Sequence, residues 1–460
     1  MSTAGKRNFR PRFHFSAPQM WINDPNGLVY ENGKYHLFYQ YHPGSPVWGP
    51  MHWGHAVSRD LIRWEHLPIA LYPDDLGTIF SGSAVYDEKN TSGLGSSEHP
   101  PIVAVYTQDQ QTPEFHRQHQ SIAWSLDGIH FEKYSGNPVI PCPPGRVDFR
   151  DPKIFWNRKK NGWGMVLAAG DHVEFFFSKN LTVWEKTGEF GPEGNVAPGV
   201  WECPDLFELF TPCGSRFILL VSMGMDSDQG GSRTQYFIGW FDGDSFRAES
   251  AGENPLWLEE GFDNYAGSTF SNADSRIMIG WANNWQYAAS CPTGEFCGTM
   301  TLARKLSLRE TPAGLRLAAS PVGLEPYAGC RQELRSGDTL SGESFVLSAK
   351  GNGDATIRLE NDCGQFLVFG IRENSLFFDR TQAGESSFSE VFSRPEYLEK
   401  EIPRLFSGGW SLTAVFDVSQ IEIFLDGGTI AMSCLVFPDT PYRRVQISGN
   451  AELCCQTLHF

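Results

Sequence analysis

Long apolar runs are missing from this 460-residue sequence; none approaches the roughly 18 residues of a membrane-spanning helix. Sustained 3.6-residue periodicity is missing too, so helices are not expected to organise the fold. Basic charge is scarce. Thirty-seven Lys and Arg against 54 Asp and Glu give a net charge of −17, the wrong sign for nucleic acid or an anionic membrane as partner. The ten cysteines (Cys142, Cys203, Cys213, Cys291, Cys297, Cys330, Cys363, Cys434, Cys454 and Cys455) include no C-x-x-C pair, so a zinc site is not expected. Scattered thiols fit a reducing compartment. The opening MSTAGKRNFRPRFHFSAP has no apolar core of a secretory signal. A cytoplasmic location is the expectation, or a secreted one if a leader has been removed.

What is present is strand. YHLFYQY, IVAVY, GMVLAAG, VEFFF, RFILLVSMG and RIMIGWA are short, rich in β-branched and aromatic residues, and bounded by Gly, Pro, Asn or Asp. The class is therefore all-β. HAVSRDLIRWE (55–65), IAWSLDGIHFE (122–132) and FFFSKNLTVWE (175–185) repeat one design: an apolar strand, Ser, a polar turn, an apolar residue, then an aromatic and Glu. IGWFDGDSFRAE (238–249) is a looser copy, and a fifth unit fits between 262 and 310. Units of about 60 residues built on a hairpin point to a propeller with long loops. From about residue 325 the texture becomes polar and turn-rich, then alternating strands resume, as in an antiparallel sandwich. Two domains are expected, 1–328 and 329–460. The 14 tryptophans offer flat faces with a polar edge, which suit sugar rings as well as β-sheet cores.

Three acids share an odd setting. Asp24 precedes Pro25 in W-I-N-D-P-N-G, Asp151 precedes Pro152 in F-R-D-P-K, and Glu202 lies two before Pro204 in W-E-C-P-D-L-F. D-P-N-G reads as a β-turn that holds Asp24 rigidly. Proline stiffens its own and the preceding backbone, and fixed placement is what a catalytic group needs. Innermost strands of propeller blades line one channel, so acids from three blades can converge there. Two carboxylates facing one bond are equipment for glycoside hydrolysis. Asp24 suits the nucleophile. Glu202, between Trp201 and Cys203, suits the acid/base. Asp151 beside Arg150 is expected to stay ionised and accept hydrogen bonds from substrate hydroxyls.

The motifs R-P-x-x-H-F-x-A-P (10–18), W-I-N-D-P-N-G, L-F-Y-Q (37–40), H-W-G-H-A-V-S-x-D-L-x-x-W (52–64), F-S-G-S-A (80–84), F-R-D-P-K (149–153), W-E-C-P-D-L-F (201–207) and G-W-A-N-N-W-Q-Y (280–287) occur in that order. With F-D-V-S-Q-I-E-I-F-L-D-G-G (416–428), they resemble glycoside hydrolase family 32, the β-fructofuranosidases. The resemblance implies a five-bladed β-propeller followed by a β-sandwich, and a retaining mechanism. In it Asp24 attacks C2 of a β-fructofuranoside, Glu202 protonates the leaving oxygen and then activates water, and Asp151 with Arg150 holds the fructose 3- and 4-hydroxyls. It also implies that Asn23, Gln40, Trp48, Phe80, Ser81 and Trp281 cradle the sugar. Asp263 and Tyr265, in G-F-D-N-Y-A, match a strand near the acid/base. No metal or organic cofactor is implied. The sequence departs from the family pattern at Ile22, where Met is usual, and at Ala303, where Pro is frequent.

The expected substrates are neutral fructose-containing saccharides: levan or inulin type fructans and oligosaccharides, and sucrose. An intracellular sucrose or sucrose-6-phosphate hydrolase, a fructosyltransferase, and a sugar-binding propeller without turnover are the alternatives. A phosphorylated substrate requires Lys or Arg at the pocket rim. The second domain is expected to pack on the propeller; sugar binding and homodimer formation stay open for it.

Overall fold

The computed structural model describes residues 7–192, 199–212, 214–224, 230–249 and 254–460. Cys213 lies outside them. Five antiparallel sheets follow one another along the chain and form the blades of a propeller. Their innermost strands are Met20–Glu31, Thr78–Tyr86, Arg150–Asn157, Trp201–Thr211 and Tyr265–Thr269. The short segment Phe296–Cys297, carried by the fifth blade, pairs parallel with Met20–Trp21 and closes the ring.

The sequence repeat is the turn into each blade's outermost strand. In the first blade Ser58 Oγ accepts from Leu61 N, and Asp60 Oδ1 accepts from Ile62 N and Arg63 N. Ser125 with Asp127, and Ser178 with Asn180, do the same in the second and third. The residue that follows (Leu61, Gly128 or Leu181) has φ between 64° and 71°. Side-chain oxygens thus stand in for missing backbone partners and hold a left-handed turn. The fourth blade keeps only the Asp242 half of the device, with Gly243 at positive φ. The fifth blade runs to Pro321, past the expected unit.

The first sandwich strand, Gln332–Leu334, follows eleven residues after the last propeller strand. Two long strands, Ser344–Glu360 and Arg444–Thr457, pair along both halves of their length and belong to both layers. The register shift between Gly351 and Ala355 bends the first of them from one layer to the other. One layer continues through Trp410–Asp417, Gln420–Leu425 and Ile430–Leu435, the other through Phe366–Arg372, Ser375–Gln382 and Glu399–Pro403. No helix among the described residues is long and apolar enough to cross a membrane.

The two domains are joined by buried polar groups. The backbone N–H groups of Arg12, Phe13 and His14 all donate to the Asp417 carboxylate, which Ser344 also contacts. Arg304 of the propeller bonds Glu259 and the sandwich residue Glu422 at 2.6 and 2.9 Å. Each charge there has a partner, as burial demands.

Candidate active site

Every innermost strand is irregular near its start. The register breaks between Ile22 and Pro25, Ile79 and Gly82, Arg150 and Lys153, Glu202 and Asp205, and Tyr265 and Ser268. A β-bulge leaves a residue unpaired and re-aims its side chain. Five bulges at one end of five strands turn Asp24, Ser81, Asp151, Glu202 and Tyr265 toward a common centre. Proline sits at three of them because a bulge needs no ladder N–H there. Asp151 and Cys203 adopt left-handed backbone, with φ of 66° and 46°. The turn expected at W-I-N-D-P-N-G is corrected: Asp24 lies within the strand Met20–Glu31. Gly27, at φ 55°, is the turn-like residue that remains, and a Cβ there would meet Phe38 at 2.4 Å and Trp53 at 2.9 Å.

Asp24 is buried. Its Oδ2 accepts from Ser81 Oγ at 2.6 Å and Cys203 Sγ at 3.3 Å, and its Oδ1 from Asn23 Nδ2 at 3.1 Å. Trp21 Nε1 donates to Asn23 Oδ1 at 2.8 Å and fixes that amide. Burial pushes the Asp24 carboxyl up; the Ser81 bond opposes this, and the Glu202 charge adds to it. Glu202 is held from both sides: Arg150 Nη2 donates to Oε1 at 2.9 Å, and the Tyr265 hydroxyl donates to Oε2 in a very short bond. Asp151 Oδ2 accepts from Cys203 N at 2.9 Å and stands 3.9 Å from Arg150 Nε.

One guanidinium therefore serves several acids. Arg150 also bonds Asp148, whose contact the sequence reading missed; only its position two residues before Arg150 hinted at it. Burial lowers the tendency of Arg150 to hold its proton, but Glu202, Asp151 and Asp148 more than restore it. For Asp151 the balance goes the other way. Burial raises it, Arg150 pulls it down, and Glu202 and Asp24 push it up again, to about 7. The expectation that Arg150 alone keeps Asp151 ionised is corrected accordingly. Burial and two neighbouring acids outweigh a cation whose Nη atoms are committed to Asp148 and Glu202.

The other expected residues divide. Ser81 and Asn23 touch Asp24. Trp48 is half exposed and meets Phe80 edge to face at 6.3 Å, which leaves an aromatic surface beside the acids' strand ends. Gln40 is buried and donates to Asn26 Oδ1 at 2.8 Å. Trp281 is fully buried, packed on Trp21 and Trp285 at 5.8 and 4.8 Å, so it backs the site rather than facing a ligand. Trp285, in the same N-N-W-Q-Y run, is only partly buried, and sequence reasoning had not singled it out. Asp263 is not at the acid/base. It bonds Tyr287 at 2.5 Å, Arg380 at 3.2 Å and the Leu435 N–H at 2.8 Å, and so belongs to the domain interface. Asp263 lies two residues before Tyr265 and outside its strand, where the backbone N–H groups of Phe262 and Asp263 still bond Ser433 of the sandwich.

The model for the glycosyl hydrolases family 32 N-terminal domain matches residues 14–321, and that for the family's C terminal matches 328–456. The chain belongs to glycoside hydrolase family 32. The levanase of Bacillus subtilis is 40% identical over 482 residues, covering 98% of this chain and 70% of that protein. The extracellular exo-inulinase of Aspergillus awamori is 34% identical over 498 residues, covering 96% and 92%. The crystal structure of that exo-inulinase superposes with a TM-score of 0.88 at 30% identity, covering 100% of this chain and 99% of the other. A fructofuranosidase from Schwanniomyces occidentalis complexed with fructose gives 0.88 at 29% identity, with both chains fully covered. The five-bladed propeller with its sandwich is thus the family 32 fold, and the protein is a glycoside hydrolase acting on β-fructosides.

Proposed function

We propose that the protein removes terminal β-D-fructofuranosyl units from fructans and fructo-oligosaccharides of the levan or inulin type, and from sucrose, by retaining double displacement. The observation that carries this is the pairing of two differently held acids. Asp24 has donors only, from Ser81, Asn23 and Cys203, which work against the effect of burial and toward the ionised form that attacks C2. Glu202 sits between a cation and a phenol, Arg150 and Tyr265, on opposite oxygens. In the first step the Asp24 oxygen bonds C2 while the glycosidic oxygen leaves with the Glu202 proton. In the second, Glu202 takes a proton from water, whose oxygen displaces Asp24 from C2. Asp151 takes hydroxyl hydrogen bonds from the bound ring.

Similarity to a levanase and an exo-inulinase over nearly the whole chain supports fructan-type substrates. A phosphorylated sugar is disfavoured, because among the described residues bonded to the three acids the sole cation is Arg150, already engaged by carboxylates. Among the described residues nine cysteines form no disulfide, which supports a reducing compartment, where short imported oligosaccharides would be the accessible substrates.

The test is sugar release from sucrose, inulin, levan and short fructo-oligosaccharides, with Asp24→Ala as control. Free fructose from the start, absent in the control, is expected. Added methanol should yield methyl β-D-fructofuranoside; the α-anomer would overturn the retaining mechanism. Transfer products longer than the substrate, in place of free fructose, would make it a fructosyltransferase.

A further inference from the structure

The innermost strands that start at the acids run the length of the channel and end around a second cavity of about 680 Å³. Its walls come from the far halves of the same strands, Lys153–Asn157 and Asp205–Phe210, and from the turn after the fifth blade's first strand. Its charge is unusual for so acidic a chain. Lys153, Arg158, Lys159 and Arg276 line it against Asp205 and Glu208.

Most of these groups are already occupied. Lys153 Nζ bonds Asp205 at 3.1 Å and Ser268 at 2.8 Å. The same Asp205 oxygen also takes the N–H and hydroxyl of Thr269. Lys159 donates to the Phe241 carbonyl at 2.7 Å, and Glu208 accepts from Ser215 at 2.6 Å. Two guanidiniums are left over. Arg276 lies over the Phe207 ring at 5.1 Å, with one long bond of 3.4 Å to Thr269 Oγ1 and a buried Nε without any partner. Arg158 is exposed and has no ion pair or hydrogen bond among the described residues. The other enclosed arginines here are answered by carboxylates: Arg304 by Glu259 and Glu422, Arg380 by Asp263, Arg404 by Asp426. A buried donor without a partner costs free energy unless something outside the chain satisfies it.

We propose that this far cavity binds a phosphate group between Arg276 and Arg158. Arg276 feels the charge of Arg158 and that of Asp205, a carboxylate already shared with Lys153; a dianion balances the remaining positive charge, and a guanidinium presents paired donors to phosphate oxygens. The half-buried faces of Phe155, Trp156 and Phe217 line the same cavity and give a sugar carried on that phosphate a surface to lie on. Free phosphate and a hexose phosphate share this chemistry. The site stands at the opposite end of the channel from Asp24 and does not depend on the reaction proposed there.

Calorimetric titration of the full chain with inorganic phosphate, and separately with glucose 6-phosphate, tests it at fixed ionic strength held with chloride. One site per chain is expected, unchanged in Asp24→Ala. Arg158→Gln, a substitution at an exposed residue that leaves folding alone, should weaken binding about tenfold, and Arg158→Gln/Arg276→Gln should abolish it. Tighter binding of the hexose phosphate identifies the aromatic wall as part of the site; equal binding identifies free phosphate as the ligand. No saturable heat from either compound, or equal binding by Arg158→Gln and the native chain, would overturn the proposal.

Discussion

Raising the pH through the range 6.5 to 9 should loosen the seam between the two domains, and His14 is the reason. Its ring is fully buried, with Nδ1 2.8 Å from Asp417 and Nε2 3.3 Å from Glu422. Burial works against its charge, but the two carboxylates outweigh burial and push it up to about 9 from an ordinary 6.5. The folded protein therefore holds a proton that the unfolded chain releases. The corresponding stability, on the order of 3 kcal/mol, is fully present below pH 6.5 and is lost as pH rises toward 9. Burial pushes both carboxyls up, but His14 above all holds Asp417 down, and Arg304 followed by His14 holds Glu422 down; the His14 share of those shifts is the same interaction and is not added to it. Arg304 faces Glu422 throughout and stays charged across the window, so it does not contribute to the slope. The assay is the urea midpoint by tryptophan fluorescence, measured from pH 6 to 9.5 for the native chain and His14→Gln. The native midpoint should fall across the window. The variant should be less stable at pH 6 by about 3–5 kcal/mol, because two buried carboxylates lose a partner, and its midpoint should vary little with pH. Parallel curves for the two proteins would refute the assignment.

Three further outcomes concern the acids. Glu202→Gln should lower kcat by about 10²–10⁴ on sucrose or inulin but far less on an activated aryl fructoside; equal losses on both would show that Glu202 does not donate the proton. Because burial and neighbouring acids set Asp151 near 7, KM for a neutral fructo-oligosaccharide should rise as pH falls below 7, by up to about tenfold per pH unit, and Asp151→Asn should lose that dependence; an unchanged profile in the variant would place the titration elsewhere. Tyr265→Phe removes one donor to Glu202 and should cost about 10–100-fold in kcat/KM with the urea midpoint little changed; full activity would make the Tyr265 contact incidental.

Much of this architecture was legible because it is built from local chemistry. The Ser-x-Asp or Ser-x-Asn turn could be read as a repeat because it is made within five residues, from side-chain oxygens and one left-handed position. The acids could be found because proline marks three of the five bulges. Tertiary context decided the rest. Asp-Pro-Asn-Gly has the composition of a turn, yet pairing with Lys34–His42 and burial against Phe38 and Trp53 draw it into a strand. Asp263 lies two residues from Tyr265 but is claimed by Arg380, more than a hundred residues away in sequence. Trp281 and Trp285 look equivalent in sequence, and only packing shows which of them faces outward.

The common bulge explains why the site and the ring depend on each other. A strand that paired regularly from its first residue would point alternate side chains into the channel and between blades, and only a fraction of its starting residues could face the centre. Breaking register at that end frees each first strand to aim a chosen side chain, at the cost of left-handed backbone at Asp151, Cys203 and Ala266. Ring closure by Phe296–Cys297 against Met20–Trp21 fixes the first of these bulges directly, since Trp21 orders Asn23 and Asn23 orders Asp24. Loosening that short parallel pair should therefore disturb the nucleophile before it disturbs the distant sandwich. The same geometry explains why the far channel end is free to carry other chemistry: there the strands pair normally, and their side chains are released from any duty to the acids.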